Sequence, residues 1–183
     1  MSTTMATNSF LQRLIGAAAL DTAIYEEVEA DPKAGVQAAA VVVLSSLAAG
    51  IGARGFSQNS LPNIALITIV SLMAWACWAL VTYEIGARLL AQPQTSVDIG
   101  QLMRTIGFAA TPGLLRVFGF IPGVTIPAFA VATIWMVVAM VVGVRQALDY
   151  TSTGRAVAVC LIGWARAGVF VYVLSLAFGS TVS

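Results

Sequence analysis

Arg166 is the charge in this chain that asks most of its surroundings. It follows Arg155 by eleven residues in an otherwise apolar run, roughly 16 Å along a helix and near the middle of a bilayer. An arginine at that depth costs about 2.5–3.5 kcal/mol on insertion scales, so it is expected to face protein and to have a partner. Glu84 could supply one, since it lies about 6 Å from Arg88 along its own helix, on the same side. A Glu84–Arg166 pair, or an arginine bonded to carbonyls released at Pro112, is a structural arrangement. A lipid-headgroup or ion site is the functional one. Arg104 and Arg116, twelve residues apart, extend that second reading to a path for an anion or a lipid headgroup. Glu84 and Arg88, one turn apart in the favourable order, could also simply pair at the interface.

A second candidate group is acidic. Glu26, Glu27 and Glu29 crowd a short stretch with Asp21 and Asp31, just before the first long apolar run. Anionic headgroups repel such a stretch, so its charges are expected to face water or a partner. Read functionally, it is a face for the basic patch of a protein partner, with an attraction that salt screens. Read structurally, it is a solvated helix face. Neutralising the three glutamates is expected to leave folding intact.

What is missing narrows the chemistry further. The chain has no histidine, which removes imidazole bases, most zinc sites and Ser–His pairing. Cys77 and Cys160 both fall in apolar runs and are expected to pack as small hydrophobes. No catalytic residue, metal ligand or cofactor site is expected, and the chain is not read as an enzyme. A net charge of +1 without a basic cluster makes nucleic acid an unexpected partner. Membrane lipids and one or more proteins are the expected partners.

The elements that must position these groups follow from charge spacing. Of 183 residues 59% are apolar and 9% charged, against about a quarter charged in ordinary soluble domains. Ala34–Ala53, Gly55–Tyr83, Val117–Val144 and Ala167–Ser183 hold no Asp, Glu, Lys or Arg, and a membrane helix needs roughly 20 mostly apolar residues. The expected fold is an all-α, polytopic integral membrane helical bundle. Residues 1–31 form a cytoplasmic tail with short amphipathic and acidic helices, and residues 32–183 form the transmembrane domain. No cleavable signal peptide is expected, because the first twelve residues carry no basic charge.

The tail begins with a polar, disordered stretch over residues 1–8. Phe10, Leu11, Leu14, Ile15 and Ala18 then share one helical face with Gln12 and Arg13 opposite, and Asp21 or Thr22 caps a second short helix. Spans are expected at about Pro32–Ala53, with Asp31 as its cap, and at about Leu61–Leu90. Two more are expected from Pro122 or Pro127 to Val144 and at about Arg155–Phe178, capped by Ser152 or Thr153. Small residues four apart (Ser46 and Gly50, Ala48 and Gly52, Ala139 and Gly143) favour close helix packing within the monomer. Between the second and fourth spans lies Leu102–Pro127, broken at Pro112-Gly113 and again at Pro122-Gly123. If it crosses, the chain has five spans; if it re-enters, four. With the N-terminus inside, five spans give six basic residues inside against two outside, and the re-entrant arrangement gives five against three. The positive-inside rule favours five spans, the N-terminus cytoplasmic and the C-terminus external.

Two soft motifs, LDTAIYEEVEADPKA at Leu20–Ala34 and RQALDYTSTGRA at Arg145–Ala156, resemble the bacterial branch of the Yip (Ypt-interacting protein) family of five-span membrane proteins. IGFAATPGLLRV is similar to that family's central proline-containing segment. The resemblance covers most of the chain from Leu20. It implies five spans, a cytoplasmic N-terminus and, for this branch, the bacterial cytoplasmic membrane. Eukaryotic members are associated with Rab-type GTPases, trafficking and organelle shaping. Their D-L-Y-G-P motif is absent, the nearest match in position being Asp21–Tyr25, which weighs against carrying Rab-type GTPase binding over. The leading expectation is a non-enzymatic, membrane-organising or protein- and lipid-interacting subunit. The alternative is a small transporter or channel component with its path near Arg166.

Overall fold

The computed structural model describes residues 8–53 and 61–179, and every regular element within them is helical. The tail before Asn8, Arg54, most of the turn Gly55–Pro62, and residues 180–183 with the C-terminus lie outside the described residues. Two short helices come first, α1 (Phe10–Ala18) and α2 (Thr22–Ala30). Ser9 and Gln12 form a reciprocal cap at the start of α1, and Asp21 accepts from the Ala23 N–H at the start of α2. Between them Leu20 takes a left-handed conformation (φ 63°). Its own N–H reaches the Ala17 carbonyl and the next reaches Gly16, a Schellman ending built without glycine.

The long helices follow: α3 (Ala34–Gly52), α4 (Leu61–Tyr83), α6 (Thr125–Ala147) and α7 (Thr153–Gly179). By length and composition, α3 and α6 are apolar enough to cross a membrane. Helix α3 starts two residues later than expected. Asp31 does not cap it directly; its side chain accepts from Lys33 N–H and its carbonyl from Ala34 N–H, making a turn that leads into the helix. Helix α4 continues as a wider π-helical turn over Glu84–Leu89. The carbonyls of Gly86 and Leu90 accept from the Tyr150 hydroxyl at 2.7 and 3.0 Å, and Leu90 also accepts from Arg155.

The central segment is two pieces. Helix α5 (Ile99–Phe108) opens with an Asp98–Gln101 capping box, and a 3-10 helix runs over Thr111–Phe120. The break falls at Ala109-Ala110, ahead of Pro112-Gly113, because Pro112 sits in the first turn of the 3-10 helix where its missing N–H costs nothing. The preceding α-helix must end before it. At rises of 1.5 and 2.0 Å per residue the two pieces span about 15 and 20 Å.

The connections sort to two ends of the bundle. At one end Thr95 bonds the Leu148 carbonyl, Gln146 bonds Glu26, and Arg104 bonds the Val28 and Glu29 carbonyls. This gathers α2, the α4–α5 loop and the α6–α7 connector. At the other end Gly119 packs on Gly52, the last residue of α3. The central segment therefore has its start beside α2 and its 3-10 helix beside the last residue of α3. Gly52 is needed for that approach: a Cβ there would collide with the Arg116 carbonyl. Ser46, Ala48, Gly50 and Gly52 are all buried in the monomer, as are Ala139 and Gly143. Cys160 is buried in the core, but Cys77 faces outward, so only one of the two cysteines packs inside.

Two apolar clusters lie toward the first end. One joins α4 to α7 through Ile85, Leu102, Val144, Leu148 and Val159. The other sets Ala17, Tyr25 and Val28 of the α1–α2 hairpin against Val41, Phe108 and Ala139. The hairpin thus shares a core with α3, α5 and α6.

Candidate functional site

Helix α1 is turned the opposite way from a helix in water. Arg13 is only 2% exposed, while Leu11 and Ile15 are 64% and 62% exposed. The guanidinium is fully engaged: Nε and Nη2 bond Glu27 at 3.0 and 2.9 Å, Nη2 bonds Asp31 at 2.8 Å, and Nη1 bonds Gln37 at 2.9 Å. Asn8 adds its backbone N–H at 3.0 Å and its side-chain amide to the same Glu27 carboxylate. Burial alone would raise the Glu27 pKa, but the bonds from Asn8 and Arg13 outweigh it and hold this carboxyl below its ordinary range. The Arg13 bond does the same for Asp31. Arg13 was expected on a polar face; its burial is tied to two acids four residues apart, hence on one side of α2.

The three glutamates do not form a common face. Glu26 is exposed and accepts from Gln146 at 2.8 Å. Glu27 points into the Arg13 network. Glu29 is half-buried, and burial, helped by the negative charge of Asp149 and opposed by Arg104, pushes its carboxyl up to about 7. Arg104 is used up on backbone, donating to the Val28 and Glu29 carbonyls at 3.1 Å each from Nε and again to Glu29 from Nη2.

Glu84 and Arg166 are not brought together. The Glu84 carboxylate is 3.0 Å from Arg88 on the exposed side of the π-helical turn. Arg166 is exposed on α7, with no hydrogen bond or ion pair among the described residues. It is neither in the core nor at the carbonyls near Pro112.

Arg116 has a different setting. It lines a cavity of about 320 Å³ between α3, α4, α6 and the 3-10 helix, together with Ser45, Ser46, Trp75, Trp78 and Met136. Its Nη2 bonds Thr133 at 3.2 Å and its Cζ lies 5.7 Å from the centre of the Phe129 ring. The Nε–H has no acceptor, and neither does the indole N–H of Trp75 or of Trp78, all three being buried. A buried donor without a partner costs about 1–3 kcal/mol, and here three belong to the lining of one cavity. Their convergence was not visible in the sequence, because the three residues stand on two elements that only the fold joins.

A family model, the Yip1 domain, matches residues 22–176, from the first residue of α2 into α7. No curated protein and no solved structure matches the chain.

Proposed function

The chain belongs to the Yip1 family, and from that premise we propose that it is a non-enzymatic, membrane-organising protein acting through lipids and other membrane proteins. One observation carries this reading: an α1 helix that buries its arginine and exposes its leucine and isoleucine. Such a helix is unfavourable in water and suited to the lipid interface. Trp135 on α6 anchors it, donating to the Ala18 carbonyl at 2.8 Å, so the hairpin and bundle meet lipid as one body. The reading includes five spans, with a cytoplasmic N-terminus and an external C-terminus in a bacterial cytoplasmic membrane. It is supported by the six-to-two basic asymmetry and by a central segment about 35 Å long. The acidic-face reading draws less support, with Glu27 and Glu29 turned inward.

The test is reconstitution into liposomes, with vesicle shape read by electron microscopy. The wild-type chain is expected to narrow or tubulate vesicles, and Leu11→Asp with Ile15→Asp to insert but leave them round. Unchanged vesicles with the wild-type chain, together with anion flux, would favour the transporter reading instead. Loss of that flux in Arg166→Leu would place its path near Arg166, which is exposed on α7.

A further inference from the structure

We propose that the cavity lined by Arg116, Trp75 and Trp78 binds the phosphodiester headgroup of an anionic phospholipid. Arg116 decides the ligand's chemistry. It is the charged side chain in the lining, and its planar guanidinium fork suits the acceptor oxygens of phosphate.

Charge decides its sign. All eight acidic side chains of the chain belong to the N-terminal hairpin, Glu84, Asp98 and Asp149, at the far end of the bundle from Gly52 and the Arg116 backbone. No carboxylate lines the cavity. The charge on Arg116 thus meets no carboxylate in the lining and suits an anion from outside the chain. Thr133 and Phe129 hold the guanidinium in place, so the fork is set before a ligand arrives.

The walls favour a lipid as the source. Apart from the donors and two serines the lining is Val, Ala, Ile and Met, and Met136, Met140 and Arg116 are half-exposed, so the cavity opens to the flank of the bundle. Its volume of about 320 Å³ lies at the lower end of ligand pockets, which run from about 300 to 1,000 Å³. That admits a phosphate with a small headgroup and leaves acyl chains in the surrounding lipid. Inorganic phosphate offers the same oxygens without the chains.

The experiment uses the full chain, delipidated in mild detergent and given phosphatidylglycerol, phosphatidylcholine or inorganic phosphate. Native mass spectrometry and thermal stability are the readouts. The wild-type chain should hold a phosphatidylglycerol adduct that raises its melting temperature. That adduct should fall at least tenfold in Arg116→Met, weaken in Arg116→Lys, which keeps the charge without the planar fork, and persist in Arg166→Gln. The lysine variant carries the test if Arg116→Met does not fold. An adduct equal in wild type and variants, or none at all, overturns the proposal. Stabilisation by inorganic phosphate without lipid binding moves the site to a free oxyanion, and equal binding of phosphatidylcholine removes the need for net charge; either result overturns the lipid assignment as stated. The proposal does not rest on vesicle reshaping: round vesicles with an Arg116-dependent adduct would overturn the hairpin reading alone.

Discussion

Arg13 on α1 donates to Asp31, the residue that ends α2, across 2.8 Å, and with Glu27 this closes the N-terminal hairpin on itself and on α3. The bond lies on the inner side of α1, and Leu11 and Ile15 face outward, so the hairpin is held by polar groups inside and presents apolar ones outside.

Removing the arginine should be costly. Arg13→Ala leaves Glu27 and Asp31 without their shared guanidinium, a loss of about 1–3 kcal/mol because both carboxylates are partly exposed. The melting temperature in detergent checks it, and Gln12→Ala, on the exposed side, serves as control. The same network has an acid limit. Because the folded carboxyls are depressed, their stabilisation is complete above the ordinary carboxylate range and lost as pH falls through it. The triple neutralisation of Glu26, Glu27 and Glu29 should thus destabilise, through Glu27.

Glu29 acts with the opposite sign. Its folded-state pKa is raised to about 7, so the folded chain holds a proton that the unfolded chain gives up from about pH 4. Stability should fall as pH rises between those values. Glu29→Gln should raise the melting temperature more at pH 8 than at pH 5. Equal gains at both would mean that Glu29 titrates normally.

Two glycines separate close approach from free space. A Cβ at Gly107 would lie 2.7 Å from the Ala38 Cβ, where α5 crosses α3, whereas one at Gly35 meets nothing within 4 Å. Gly107→Ala should cost about 1–3 kcal/mol as overpacking, and Gly35→Ala should be neutral or stabilising by roughly 0.5–1 kcal/mol. Thermal unfolding of the two variants side by side is the check.

Crossing by the central segment can be read chemically. In a background with Cys77 and Cys160 replaced, Ser96→Cys in the α4–α5 loop and Pro122→Cys after the 3-10 helix should label from opposite sides of sealed vesicles. Labelling from one side would restore the re-entrant arrangement.

The Tyr150 hydroxyl closes the π-helical turn by donating to Gly86. Tyr150→Phe should cost about 1–3 kcal/mol by leaving the buried Gly86 carbonyl short of a donor, while Leu90 keeps its bond from Arg155, read as a lower melting temperature with helix content unchanged.

Most helices were legible because charge-free runs, Asp21, Asp98 and Pro112 mark them by local chemistry. The orientation of α1 was not, since Arg13 turns inward to acids on another helix and its cap while Leu11 and Ile15 turn outward. The split of the glutamates was legible in part: Glu27 and Glu29 are two residues apart, about 200° around a helix, and so on opposite sides. The pairing of Glu84 with Arg88 followed from spacing alone. The gathering of Arg116 with Trp75 and Trp78 around one cavity did not, because it depends on how α4 and the 3-10 helix are each set against α3.

The hydrogen bonds at one end of the bundle act as a clasp. Among the described residues, Thr95–Leu148, Tyr150–Gly86, Arg155–Leu90, Arg104–Glu29 and Gln146–Glu26 fasten different elements together at one end. Those bonds tie the hairpin, the α4–α5 loop and the α6–α7 connector into one fastening. Amide exchange at the end of α6 should record it, with Val144 opening faster once Thr95→Ala removes the bond to the Leu148 carbonyl.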